Sequence, residues 1–428
     1  MVASPARWTL QGLFTVALLG ITAGVQMSDM GLQAISLSAI QRTFDVSDAS
    51  VGALQGLAGV LVGSALAIPL ARFADKFPRK RVLLCLILAS TAMMVLSAFA
   101  PNFPLFFIGR SAAGITEFAM VPLVYSMIPD LAPERHRVIA NLSFAALMAA
   151  GASGGFYFAG SLLSTAPDLI PLAIEPWRNA FLLLSFAGLP LLLLATLTVD
   201  PPRHIQASEL AANKSLILFL RQRWQAIGLF IGTAGCLVIA VQAFNQLISL
   251  ALERRFDALP GNIGHAMGLI VLMAAAGCLP VAGLLDRVLA RRLGRAARPL
   301  IMGMCALIAV SIVLPLAAMG TLDRALVVVG VILFATSTAN ALVPTMLQDL
   351  TPASLRARSF ALWSFVVSVF GACGPLLAGL FSDWMFDGHL LNAIIFTAIP
   401  ALLISVYCAI RSFLHTYKEQ TLTAKEPA

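Results

Sequence analysis

Twelve apolar runs, each long enough for a bilayer-spanning helix, follow one another along this chain and constrain its fold more than any other feature. They cover roughly 10–40, 51–71, 82–100, 105–128, 138–164, 178–199, 224–252, 263–285, 299–319, 324–347, 359–381 and 391–413. A hydrocarbon core about 30 Å thick needs about 20 apolar residues in helical form. Backbone amides in lipid must find partners within protein, so only helices and closed barrels span. The runs are continuous rather than alternating, which excludes a transmembrane barrel. Composition agrees, with 59% of the 428 residues hydrophobic and 11% charged, against about 45–50% and about 25% in soluble domains. A soluble enzyme, a disordered chain and a nucleic-acid-binding module are thereby excluded as the main body. All six cysteines lie in apolar runs and no CxxC pair occurs, so neither a disulfide framework nor a zinc site is indicated.

The formal net charge of +8 is unevenly placed. An even number of spans puts both termini on one side, and the loops of that side carry twenty-two of the 28 lysines and arginines. The opposite loops carry five (Arg42, Arg178, Arg254, Arg255 and Arg324), and Arg110 lies inside a span. By the positive-inside bias both termini are expected in the cytoplasm of a multi-pass cell (inner) membrane protein. The basic excess is then a topology signal, and no nucleic-acid partner is expected. A cleaved signal peptide is the competing reading of the first run, but that run continues past Gln26 without a convincing cleavage site.

The longest polar interval, 200–223, divides the chain into a six-helix bundle at 1–199, a cytoplasmic linker, a second six-helix bundle at 224–415 and a tail at 416–428. The halves repeat each other. Asp130-Leu131-Ala132-Pro133 matches Asp349-Leu350-Thr351-Pro352, Arg137 matches Arg356, and Gly155, Ala159 and Gly160 match Gly374, Ala378 and Gly379, all at an offset of 219. Asp75-Lys76 and Asp286-Arg287 form a looser pair at an offset of 211. Repeated halves suit a transporter whose site lies between them at mid-membrane.

After the second span comes Ala71-Arg72-Phe73-Ala74-Asp75-Lys76-Phe77-Pro78-Arg79-Lys80. A carboxylate at a helix end among fixed cations makes a breakable latch: Asp75, Lys76, Arg79 and Lys80 are its candidates, with Asp130 as a partner. The alternative is a solvated basic loop that only sets topology. Span four carries Arg110-x-x-x-Gly114, span five Gly151-x-x-x-Gly155-Phe156-x-x-Ala159-Gly160, and span eleven Gly371-x-x-Gly374-Pro375-x-x-Ala378-Gly379. Small residues at this spacing let helices approach closely, which makes Gly151, Gly155, Gly160, Gly374 and Gly379 packing candidates. Gly151-Ala152-Ser153-Gly154 also spells the Gly-x-Ser-Gly of intramembrane serine proteases, but the only candidate histidine, His265, sits near a span end.

These loop, fourth-helix and fifth-helix motifs resemble those of the major facilitator superfamily, with Ala71 and Pro78 in place of the two loop glycines and Phe156 in place of the usual proline. Asp29-Met30-Gly31, Gly114-Ile115-Thr116-Glu117, Pro133-Glu134-Arg135-His136-Arg137, Pro176-Trp177-Arg178 and Val199-Asp200-Pro201-Pro202-Arg203 narrow the resemblance to the spinster-like branch. It implies an all-α fold of twelve transmembrane helices in two bundles related by pseudo-twofold symmetry. A first-helix Asp-Arg pair and a fourth-helix Glu are associated with proton-linked transport in that branch. Asp29 and Glu117 match, whereas Met30 stands where the branch has Arg. Spinster proteins are associated with lysolipids and sphingoid phosphates.

Independently of the resemblance, only Asp29, Arg110 and Glu117 are formally charged residues well inside spans. A charge at the bilayer centre costs about 2.5–3.5 kcal/mol on insertion scales, so such residues normally face an interior and have a role. Arg110 and Glu117 are seven residues apart and share a helix face. Glu117 can therefore be a proton-coupling group or simply the structural partner of Arg110. In the second half Gln242, Asn245 and Gln246 share one face of span seven and, with Asn340 on span ten, are candidates to line a cavity; bonding between helices is the alternative. His265 and Met267 lack companions at ligand spacing, so no metal is expected.

The resulting expectation is a secondary active transporter, not an enzyme. It moves a small organic or amphiphilic solute, lysolipid-like or an organic anion, by alternating access. The proton gradient is the energy source, no cofactor is needed, the lipid bilayer and a small-molecule substrate are the partners, and the chain acts as a monomer. No P-loop is present, so ATP does not drive it directly. The alternatives are a drug or metabolite efflux antiporter of the same fold, a membrane-embedded enzyme and a passive channel.

Overall fold

The computed structural model describes residues 9–59, 77–133, 136–170, 172–198, 218–352 and 355–423. Among these, all regular structure is helical. The helices are α1 (Leu10–Phe44), α2 (described over 48–59), α3 (Arg79–Ala98), α4 (Phe103–Leu131), α5 (Arg137–Leu169), α6 (Pro176–Phe186), α7 (Gly188–Ala195), α8 (Trp224–Phe256), α9 (Pro260–Leu293), α10 (Ala297–Val313), α11 (Leu322–Ala341), α12 (Val343–Leu350), α13 (Arg356–Met385) and α14 (Leu390–Thr423). They make twelve spans, because α6 with α7 and α11 with α12 are each one span interrupted once. Pro190 and Pro344 lie just past the interruptions. Proline has no N–H to return to the carbonyl four residues earlier, which breaks the helix there.

Helix starts follow local chemistry. Thr9 Oγ1 accepts from Gly12 N at 3.0 Å and Asn102 Oδ1 accepts from Leu105 N at 3.0 Å, so both side chains act as N-caps for α1 and α4. At its other end α1 stops at Asp45, whose backbone turns left-handed (φ 48°) and returns its N–H to Gln41 O.

The chain divides into two compact units, 1–204 with 257–272 and 205–256 with 273–428. Within the first, Leu19, Leu83, Val124, Met127, Ile128 and Phe144 form a close-packed core. Large side chains such as Leu88, Ile108 and Leu193 are exposed. Apolar faces of this extent belong against lipid.

The closest helix packing in the first unit is between α1 and α5, where glycines bring backbone onto backbone. A methyl group on Gly151 would overlap the Gly24 backbone, and one on Gly155 would overlap the Ser28 carbonyl. In the second unit a methyl on Gly374 would overlap the Ile239 carbonyl. Gly374 lies 219 residues after Gly155, and Ile239 lies 211 after Ser28. Both offsets of the internal repeat therefore reappear in a single three-dimensional contact. Gly160 approaches Gly261 within the first unit, and a methyl on Gly268 would press on Tyr157. These contacts are why the opening turns of α9 cluster with the first unit. Gly379 is buried on α13.

Arg178, placed by the sequence in an outer loop, is 8% exposed and acts as a clamp. Its Nη1 donates to the Ala98 and Ala100 carbonyls, both at 2.8 Å, and its Nε donates to Glu175 Oε2 at 2.6 Å. The guanidinium lies over the Trp177 ring, 4.4 Å from its centroid, and Trp177 Nε1 donates to Thr43 Oγ1 at 3.0 Å. One fork thus closes the α3–α4 turn and ties it to α6. Arg178→Ala orphans two carbonyls and is expected to cost roughly 2–4 kcal/mol, read as a lower melting temperature in detergent. Lysine, lacking the fork, should restore under half of the loss.

Candidate functional site

Asp29 sits near the middle of α1, flanked by apolar turns, and Arg110 sits in the second turn of α4. The structure joins them. Arg110 Nη1 donates to both Asp29 oxygens, at 2.9 and 2.7 Å, and the two side chains are 5% and 6% exposed. The guanidinium carbon lies 5.3 Å from the centroid of the Phe181 ring on α6. A buried carboxylate and a buried guanidinium each carry a large desolvation cost, and each is tolerable because the other is present. A single Nη serves both oxygens, while Arg110 Nε has no partner among the described residues. The pair is charge-balanced without being saturated in hydrogen bonds.

Around Asp29 runs a polar seam that the sequence did not reveal. Gln26, Asp29 and Gln33 lie on one face of α1. Gln26 Nε2 donates to Ser90 Oγ on α3 at 3.3 Å. Gln33 Nε2 donates to Gln55 Oε1 on α2, while Gln33 Oε1 is buried without a partner. Amides and hydroxyls are common in transmembrane helices, so none of these four stands out as a charge does. Only Gln26 and Gln33, three residues before and four after Asp29 on the same helix, stood near enough to it in the sequence to be suggested.

Glu117 lies on α4, two turns beyond Arg110, and Asp130 lies near its end; both side chains are outside the described residues, as are Asp75 and Lys76 altogether. Arg79 and Lys80 open α3. In the second unit the corresponding constellation is complete. Arg298 Nε and Nη2 reach Asp286 Oδ1 and Oδ2 at 3.2 and 3.4 Å, and Nη1 pairs with Asp349 Oδ2. Asp349 is the repeat counterpart of Asp130 and Asp286 that of Asp75. Arg298 stands 219 residues after Arg79. That offset was the signal available for Arg298, which sequence reasoning passed over.

Gln242, Asn245 and Gln246 are half-buried on α8, and Gln242 lies beside Gly371 of α13. Asn340, at the end of α11, is exposed. Ser153 is taken up in packing, since its hydroxyl donates to the Gly268 carbonyl at 2.8 Å. His265 packs against Tyr157 with ring centroids 4.7 Å apart. The protease-like Gly-x-Ser-Gly run is therefore a helix contact.

Twelve helical spans in two repeated halves, with an ion pair buried between helices, define a polytopic membrane transporter rather than an enzyme. The family model described as Major Facilitator Superfamily matches residues 19–341, and the chain belongs to that superfamily. It is 25% identical over 386 residues to an MFS-type efflux pump of Mycolicibacterium smegmatis, covering 87% of this chain and 85% of the pump. It is likewise 25% identical over 371 residues to a gentisate transporter of Corynebacterium glutamicum, covering 81% and 76%. Among solved structures, a bacterial homologue of the human lysosomal transporter Spinster, inward-facing and unoccupied, superposes with a TM-score of 0.79 at 18% identity. That match covers 96% of this chain and 99% of the homologue. A D-xylose–proton symporter gives 0.69 at 14% identity, covering 92% and 97%. At these identities the structural likeness establishes the fold.

Proposed function

We propose that the chain is a proton-coupled secondary transporter that moves a small organic or amphiphilic solute by alternating access. Two six-span bundles, 1–199 and 224–415, rock about a central site, and both termini lie in the cytoplasm of a cell inner membrane. The observation that carries this reading is the Asp29–Arg110 pair, a buried acid and base linking two helices of one bundle. A proton arriving on Asp29 removes the negative partner, loosens α1 from α4 and leaves the guanidinium seeking another anion. Glu117, seven residues after Arg110 on α4, is the second candidate for that proton, and Met30 stands where the spinster-like branch has Arg. Arg110 could equally meet the head group of an anionic solute. In the second half, Gln242, Asn245, Gln246 and Asn340 are the uncharged candidates to line a cavity. The energy comes from the proton gradient and no cofactor takes part.

The efflux-pump relative favours a second reading within the same fold, in which proton entry drives solute out. Both readings face one experiment. A ligand found by thermal-shift screening is followed in proteoliposomes under an imposed pH gradient. One proton per solute and one pH unit sustain about a tenfold solute ratio. Wild type is expected to build that ratio, its sign giving symport or antiport. Glu117→Gln is expected to keep solute exchange and lose accumulation. Unchanged accumulation in Glu117→Gln and Asp29→Asn alike would overturn proton coupling through these residues.

A further inference from the structure

On the second unit, a cleft of about 480 Å³ opens where α8 begins and α14 ends. It is lined by Trp224, Gly228, Tyr407, Arg411, His415 and Lys418 among others. Tyr407, Arg411, His415 and Lys418 repeat at i, i+4, i+8 and i+11, so they form one stripe down α14. The stripe has a gradient. Its terminal part is cationic, while the turns deeper in the span expose Leu403, Ile404, Tyr407 and Ile410. Trp224 is 66% exposed and Tyr407 62%, two amphipathic rings placed as rings are at a membrane–water boundary. Arg411 and Lys418 have no ion-pair partner among the described residues, and Glu419 lies 4.0 Å from His415. The cleft floor is Gly228, where an added Cβ meets nothing within 4 Å.

We propose that this cleft is a binding site for one anionic phospholipid, held by its phosphodiester between Arg411 and Lys418. The acyl chains run along the exposed apolar turns of α14 and the glycerol end rests against Trp224. Chemistry selects this occupant. Two unpaired cations at the end of a lipid-facing helix need an anion, and the apolar surface continuing from them needs something with a tail. A free phosphate satisfies only the first need. Basic clefts between transmembrane helices are established headgroup sites in general, whereas a cationic rim present only for topology needs neither the cleft nor the ring pair.

The test uses the full-length protein, delipidated in detergent and titrated with phosphatidylglycerol, with phosphatidylcholine and with inorganic phosphate, read by native mass spectrometry. Wild type is expected to retain one phosphatidylglycerol in preference to phosphatidylcholine and to ignore phosphate. Each cation near an anionic headgroup contributes such that losing two weakens retention about thirtyfold, the expectation for Arg411→Ala with Lys418→Ala. Gly228→Phe fills the cleft without touching a charge and is expected to expel the lipid as well. Arg291→Ala with Arg292→Ala, two exposed arginines on α9 outside the cleft, should retain it as wild type does. Equal retention of the two lipids, equal binding of phosphate, or equal losses in the cleft and α9 pairs would each overturn the proposal.

Discussion

Asp29→Leu is expected to destabilise the protein by about 3–5 kcal/mol, the usual cost of leaving one member of a buried ion pair without the other. Arg110→Met should fall in the same range at neutral pH and less in acid. The asymmetry follows from the chemistry of the two groups. A carboxylate stranded in an apolar interior can shed its charge by taking up a proton, more cheaply as pH falls. A guanidinium has no such exit. The double variant Asp29→Leu/Arg110→Met removes both charges and leaves shapes that apolar neighbours accept, so most of the stability should return. Thermal melts in detergent at two pH values, arranged as a double-mutant cycle, measure this directly. A coupling below about 1 kcal/mol, or identical pH responses of the single variants, would mean the pair is not what holds α1 to α4. Transport separates role from scaffold: the double variant should be folded and unable to accumulate solute.

That pair also marks how far the sequence could be read. Asp29 and Arg110 were visible separately, because an ionised side chain in an apolar run carries a cost that demands explanation. Their partnership was not, since the residues are 81 positions apart and meeting depends on how two helices are rotated against each other. Arg110 with Glu117, seven residues apart on one face, was the pairing that spacing alone offered. The seam of Gln26, Gln33, Gln55 and Ser90 was illegible for a different reason. Neutral amides carry no formal charge and commonly bond between transmembrane helices, so they raise no alarm until their partners are seen. Arg178 shows the same limit for a charge at a span edge. Its position at a span edge showed only a charge on the outer side, whereas its Nη1 and Nε close two carbonyls and a carboxylate inside the fold. The architecture was legible because run length and backbone satisfaction leave one solution in lipid, and the second-unit network of Arg298 was within reach through an offset already in hand.

The glycine contacts give the other large effect, and its sign changes between adjacent residues. Gly155→Ala places a methyl into the Ser28 carbonyl, which belongs to backbone and cannot rotate aside. Two helices must then separate along the whole α1–α5 seam, costing about 1–3 kcal/mol or more beyond the roughly 1 kcal/mol that alanine gains over glycine in a helix. Gly154→Ala places the same methyl 3.8 Å from the Phe158 ring, ordinary contact, so only the helix gain remains and the melting temperature should rise. Because Gly374 meets Ile239 as Gly155 meets Ser28, Gly374→Ala should fall with Gly155→Ala although it lies in the other unit. Chemical identity and chain context are nearly matched between 154 and 155, so helix propensity, hydrophobicity and expression artefacts predict the same sign for both. Backbone proximity alone predicts opposite signs. Melting temperatures that shift together would show that α1 and α5 do not pack as closely as the structure has them. A divergence shared by Gly155 and Gly374 would show that the repeat is preserved in the contacts themselves as well as in the motifs.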